Sequence, residues 1–405
     1  MGSRESKEAD MTVYAKQLRD FYHYFHRYPE LALKEVKTSA FIRKSLNALG
    51  YQIREVEPTG LIAELPCLAK KAPLVVLRAE MDGLPIQEQT GLLYASVNDG
   101  CMHACGHDAI LAVALTMAEA AAKMGEEFPV RIRFLFEPAE EIGEGAKRML
   151  QAGALKDADC FVMFHFATDM PLGMAVHEGQ ASAMIGGMQI HIEGKSSHWC
   201  EAQKGVDSIY GAARVIEKVH EANEKYERQA PCLAGIGMVQ GGSYPNIIAD
   251  YVLLQGNVRA CREEDFYGMI RYLEEGFAQV EKETGTTIKM EFPKEPVYPF
   301  ANDRELTEMA VKTGKKVFGD RFVLEGEDEL FLTGDNAYRY FRKTKGIFPV
   351  FLAALPGENH PLHHPKFQID EEILSYSLEA LFDLFLNISQ CFAEKEPEGK
   401  GESTE

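Results

Sequence analysis

The densest chemistry in the chain lies in "CMHACGHDAI" at 101–110, which places Cys101, His103, Cys105, His107 and Asp108 within eight residues. Thiolate and imidazole are donors that Zn²⁺ and its neighbours prefer, and short spacing lowers the entropy of closing a site. Two other readings compete: a Cys–His nucleophilic pair, for which an i, i+2 arrangement in an extended segment is poorly suited, and a polar structural loop. Further donors lie elsewhere. In "LFEPAEEIGEG", Glu140 and Glu141 follow a strand; one carboxylate could bind a metal while the other acts as general base, or both could simply favour a helix N-terminus. His165 in "VMFHFA" ends an apolar strand, where a histidine is more often a satisfied core residue than a ligand. "GENHPLHHPKFQID" packs three histidines into five residues, as a loop delivering a remote ligand would. "RAEMDGLPI" brings Glu80 and Asp82 to a strand end, as solvated acids or as partners orienting a ligand. Four of these five features fall at strand ends or adjoining loops, which favours a binuclear metallohydrolase over any single-site reading.

The elements that must position these groups can be read from periodicity. Residues 11–50 predict two helices broken at Pro29 and closed at Gly50. Next come a buried strand "PLVVLR", a buried helix "ILAVALTMAEAAAKM", a strand "VRIRFLF", a helix "GAKRMLQAG" and a strand "CFVMFHF". This alternation predicts an α/β body with a mixed, largely parallel sheet, in which sites form at the carboxyl ends of strands. From residue 183 the order becomes strand, helix, strand, strand, helix, strand, the split pattern of a ferredoxin-like (βαββαβ) domain. The expected organisation is a catalytic domain over 1–182 and 295–392, an inserted lid domain over 183–294, and a disordered tail over 393–405 with almost nothing apolar to bury.

Composition narrows the function classes. The chain has 405 residues, 46% hydrophobic and 26% charged, with 43 Lys+Arg against 62 Asp+Glu and a formal net charge of −19. An acidic surface opposes nucleic acid or an anionic membrane as partner. No apolar run reaches membrane-spanning length, and "MGSRESKEAD" is not a secretory signal, although Gly2 and Ser6 fit the loose myristoylation pattern. The eight cysteines are scattered, as in reduced cytoplasmic proteins.

The stretches "FHRYPELALKEVKTS", "RAEMDGLPIQEQTG", "GCMHACGHDAILAVAL", "EPAEEIGEGAKRML", "GKSSH", "NIIAD", "GNVR" and "HPLHHPKFQIDEEIL" together resemble the co-catalytic metallopeptidases that include aminoacylases, hippurate hydrolases, indole-acetyl-amino-acid hydrolases and acetyl-diaminopimelate deacetylases. The resemblance implies two divalent ions, zinc or manganese, held by Cys105, His107, Glu141, His165 and His363, the last chosen over His364 because the family's ligand precedes a variable residue and then proline. It implies Glu140 as general base, Asp82 as the acid orienting a ligand imidazole, and His198 as a donor to the developing oxyanion. Asn246 and Arg259 match a clamp for the substrate's carboxylate, to which a planar guanidinium is suited. The implied activity is hydrolysis of N-acyl amino acids, with a dipeptidase or carboxypeptidase as the alternative within the same chemistry and a non-catalytic binding protein of the same fold as a further one. The implied partner is a small molecule with a free carboxylate, and the inserted domain would also pair two copies into a homodimer.

Several positions depart from the family pattern: Ala109 and Ile110, where Gly-His is usual; Glu80, where Asp is favoured; "HWCEAQ" after His198; Ala249; and the residue before Asp335. None removes an expected ligand. Several are expected to border the substrate, with Trp199 either walling an acyl pocket or simply packing.

Overall fold

The computed structural model describes residues 10–66 and 72–395. Gly2, Ser6 and the tail beyond 395 lie outside the described residues, and the final helix Glu372–Lys395 extends three residues past the expected boundary at 392. The chain divides into two compact units. One comprises the chain up to Gly179, Ala301–Glu327 and the chain from Arg339; the other comprises Gln180–Phe300 and Asp328–Tyr338.

The first unit is built on a six-stranded sheet in the order Gln52–Val56, Gly60–Glu64, Arg131–Glu137, Leu74–Glu80, Cys160–Val162, Gly346–Ile347. The first three strands pair antiparallel and the last four parallel. Leu74–Glu80 is buried along its whole length, as a strand covered on both faces must be. The helix His107–Met124, apolar nearly all round, is buried from His107 through Ala118 and belongs to the principal core. It begins three residues earlier than the apolar run suggests, at the first residue after Gly106.

The run "CFVMFHF" is not one strand. Cys160–Val162 joins the six-stranded sheet, whereas His165–Pro171 pairs with Pro349–Ala354 in a second, four-stranded sheet that also contains Gly173–His177 and Phe322–Glu325. A uniformly apolar run hides such a break, because both halves are buried.

The second unit has an antiparallel sheet in the order Cys232–Gly241, Tyr251–Ala260, Met184–Glu193, Thr287–Glu291, accompanied by the helices Ser208–Lys225 and Glu263–Thr284. That order is the split βαβ arrangement, and the unit has its own core. It is wider than the interval 183–294. Asp328–Tyr338 joins it through Ala183 N–H donating to Thr333 O (2.6 Å) and Arg259 Nη1 donating to Leu332 O (2.9 Å). No local pattern announces this long-range attachment.

Candidate metal centre

The site in the first unit is assembled from strand ends and the turns that follow them. Gly106, at φ +84°, turns the chain in the left-handed region that favours glycine and caps the helix that starts at His107. Cys105 and His107 are therefore not an extended i, i+2 pair. Across this turn their donor atoms converge with that of His165, all lying within 4.8 Å of one another.

Each imidazole is oriented by its other nitrogen. His107 Nδ1 donates to the Asp82 carbonyl at 2.9 Å, and His165 Nδ1 donates to the Phe166 carbonyl at 2.8 Å. These partners place the proton on Nδ1 and leave Nε2 of each ring as the nitrogen that could ligate a metal. His165 Nε2 lies 3.6 Å from Cys105 Sγ. His363 is anchored at φ +66° by its N–H donating to Ala104 O at 2.7 Å, with Nε2 at 3.5 Å from Glu141 Oε1. His364 instead stacks on His360 and accepts from Lys366 N–H through Nδ1. Between the two, His363 converges on the other donors.

Glu140 and Glu141 occupy the turn after the strand Arg131–Glu137, and the donor atoms of His107, Glu140 and Glu141 also lie within 4.8 Å of one another. The role of Asp82 differs from the sequence expectation in detail. Its carbonyl meets His107, while its carboxylate is 3.6 Å from Nδ1 and accepts the amides of Glu140 (3.1 Å) and Glu141 (3.0 Å). One buried residue thus orients the His107 imidazole and the backbone of the Glu140–Glu141 pair. The preceding Ala139 sits at φ +56°, a conformation that costs a non-glycine residue about 1–2 kcal/mol and persists only where its surroundings enforce it.

The donor set fits a divalent ion. Among the described residues Glu141 Oε1 is buried with no hydrogen bond, His363 Nε2 standing 3.5 Å away, so an electropositive ion shared by the two would satisfy both. Burial opposes ionisation of Glu141, yet the His363 contact prevails and holds its carboxyl below the usual carboxylate range. Burial pushes the Cys105 thiol well up, so a thiolate there requires a cation beside it. Buried thiol, imidazole and carboxylate together suit zinc-like ions.

Glu80 is not a solvated acid. It is buried and pairs with the fully buried Arg78, which also holds Glu137, the latter accepting from Tyr340 Oη at 2.6 Å. His103 is buried with neither ring nitrogen hydrogen-bonded among the described residues, and Cys101 is buried nearby in sequence; neither belongs to the converging set. Ala109 and Ile110 are fully buried in the hydrophobic core. Their departure from the family pattern is accommodated by packing against that core.

Sequence reading missed two groups of buried charge. His26 bridges Asp108 (2.6 Å) and Glu88 (3.2 Å), and Glu35 accepts from the Ala139 amide (2.8 Å). All four lie within the quoted resembling stretches, but nothing local distinguishes them from solvated polar residues.

In the second unit, His198 and Ile247 are paired across a two-stranded antiparallel ladder, and Asn246 accepts from Trp199 N–H through its carbonyl at 3.2 Å, so His198 and Asn246 are neighbours. His198 is exposed and its Nδ1 accepts from Cys200 N–H, leaving the proton on Nε2. Arg259 donates through Nε to Asn257 (3.0 Å) and through Nη1 to Leu332 O. Nη2 therefore has no hydrogen-bond partner among the described residues. Trp199 is 51% exposed and fills no core position.

An α/β body with thiol, imidazole and carboxylate converging at the carboxyl edge of a parallel sheet defines a metallohydrolase class of protein. The chain belongs to peptidase family M20/M25/M40, whose family model matches residues 76–387, and it is a hydrolase acting on amides. It is 31% identical over 384 residues to N-acetyl-L-cysteine deacetylase of Bacillus subtilis, covering 91% of this chain and 87% of that one. It is 29% identical over 360 residues to thermostable carboxypeptidase 1 of Saccharolobus solfataricus, covering 86% and 89%. Among solved structures, it resembles a Bacillus subtilis protein described as a dinuclear metal-binding peptidase of the M20 family, with TM-score 0.76, 28% identity and coverage of 94% and 99%. Among the described residues, no helix is long and apolar enough to cross a membrane.

Proposed function

We propose that this protein is a dinuclear metal-dependent amidohydrolase that releases the acyl group from N-acyl amino acids. The observation that carries this reading is the placement of Glu140 within 4.8 Å of His107 and Glu141 donor atoms, beside the cluster of Cys105, His165 and His363. Two divalent ions, zinc or manganese, held by Cys105, His107, Glu141, His165 and His363 would supply Lewis acidity toward the amide carbonyl and acidify water at neutral pH. Glu140 takes the proton of the attacking water and delivers it to the leaving amine. Asp82 fixes His107 and the Glu140–Glu141 backbone. His198, with its proton on Nε2, donates to the oxyanion. Asn246 and Arg259 bind the free carboxylate of the substrate, Arg259 through Nη2.

The deacetylase relative favours an acyl amino acid, whereas the carboxypeptidase relative favours the second reading, a peptidase using the same centre. We also propose a cytoplasmic homodimer paired through the second unit. Its exposed strand Cys232–Gly241 carries Met238 and Val239 at a sheet edge, a place where another strand can add, and the seven described cysteines are free thiols suited to a reducing compartment. The test is a panel of N-acetyl, N-benzoyl and indole-acetyl amino acids beside dipeptides, with metal content measured on the same sample. Hydrolysis of the acyl amino acids in preference to dipeptides supports the proposal. Preference for dipeptides moves the protein to the second reading, and no hydrolysis with zinc or manganese supplied overturns both.

A further inference from the structure

Glu35 is fully buried and stands at the N-cap of the helix Val36–Ala48 without capping it. An acidic N-cap side chain ordinarily accepts from the first-turn amides. Here that work falls to Glu30, whose Oε2 accepts from Thr38 N–H (2.8 Å) and Thr38 Oγ1 (3.0 Å). Glu35 is thereby released to turn inward. Its Oε2 accepts from Thr59 Oγ1 at 2.6 Å, and its Oε1 accepts from Leu33 N–H at 3.0 Å and, 104 residues away, from Ala139 N–H at 2.8 Å.

Ala139 directly precedes Glu140 and holds the left-handed conformation already noted. Three consecutive amides, those of Ala139, Glu140 and Glu141, therefore hang on two buried carboxylates, Glu35 for the first and Asp82 for the next two. The other ties on this turn are local, the Ala139 carbonyl accepting from Glu144 and Gly145 N–H (3.2 and 3.3 Å) and the Glu140 carbonyl accepting from Gly143 N–H (2.7 Å), so the two carboxylates are what fix it to the rest of the unit and oppose relaxation of the strained Ala139. From this geometry we infer that Glu35 is a positioning residue for the general base, fixing the Ala139–Glu141 turn from a helix that itself contributes no ligand. The inference rests on the reading of Glu140 as base.

The test compares Glu35→Ala and Glu35→Gln with the wild-type, metal-loaded enzyme. Glutamine can accept both amides through Oε1 and donate Nε2–H to Thr59, so it should restore most of what alanine loses. Three measurements are made: amide hydrogen exchange of the peptides spanning 131–137 and 138–145, metal content, and kcat and KM on an N-acyl amino acid. For Glu35→Ala, exchange in 138–145 should quicken at least about tenfold with 131–137 unchanged. Its kcat should fall about 10–100-fold, KM should stay within about twofold, and metal content should be unchanged. Should Glu35→Ala not fold, Glu35→Asp, which shortens the reach by about 1.5 Å, carries the same expectations.

A kcat within twofold of wild type for the alanine variant overturns the inference. So does exchange that quickens equally across 131–137, which would mark general destabilisation, or a loss expressed only in KM. If the wild type hydrolyses no acyl amino acid, the functional proposal fails by itself, and the exchange contrast still decides whether Glu35 holds the turn.

Discussion

Replacing Asp82 with asparagine tests the centre most sharply, because it separates the two jobs that the residue performs. The backbone carbonyl that accepts from His107 Nδ1 is retained, so the ligand imidazole keeps its orientation. The carboxylate, however, serves two amides at 3.1 and 3.0 Å from a buried position. Asparagine can accept from one and must turn its NH₂ toward the other, losing at least one charge-assisted hydrogen bond, worth about 1.5–3 kcal/mol. If that energy holds Glu140 in place at the transition state, 1.4 kcal/mol per factor of ten translates it into a fall of about 10–100-fold in kcat/KM. The assay is kcat/KM on the best acyl amino acid together with metal content by mass spectrometry. The expected result is the loss of turnover with metal retained. Activity within twofold of wild type would refute the reasoning, and so would activity lost only in proportion to lost metal, because Asp82 would then act through His107 alone.

Three further outcomes follow from the same geometry. Glu140→Gln should keep its metal and lose about 10²–10⁴-fold in kcat, measured by steady-state kinetics on metal-quantified protein. Cys105→Ala should lose metal occupancy as well as turnover, because it removes the thiolate donor from the convergent set; equilibrium dialysis against zinc reads this directly. The third concerns pH. Burial opposes the charged form of His26, but Asp108 and Glu88 prevail and raise its pKa from 6.5 to about 9. A raised folded-state pKa gives stability that is fully present below pH 6.5 and is lost as pH rises through about 9, a contribution of roughly 2–4 kcal/mol. The thermal midpoint should therefore fall across that window. His26→Gln should flatten the fall, and an unchanged slope in the variant would show that the alkaline limb has another origin.

Residue chemistry was legible at short range. The thiol, imidazole and carboxylate donors could be picked out by type, by their density and by their position after apolar strands. The alternation of strands and helices indicated an α/β body, because periods of 2 and 3.6 are imposed by local backbone geometry. What was not legible had long-range causes. The break inside "CFVMFHF" depends on which sheet each half joins, and the attachment of Asp328–Tyr338 depends on partners at Ala183 and Arg259. Ala109 and Ile110 stand out in the sequence only as departures from the family pattern, and that the first turns of the helix bury both in the core is decided by the fold.

The sequence by itself determined which groups are available to make a metal centre and that strands and helices would alternate around it. Only the tertiary structure decided which of these groups meet and how each is aimed. The turn at Gly106 sets Cys105 and His107 on one centre, Asp82 uses its carbonyl and its carboxylate for different partners, and Glu35 spans 104 residues to reach the turn that carries Glu140. The physical reason is that a side chain's type and local backbone preference are properties of nearby residues, whereas the partner of a buried carboxylate is set by the packing of the whole unit, which alone decides the amides and imidazoles that surround it.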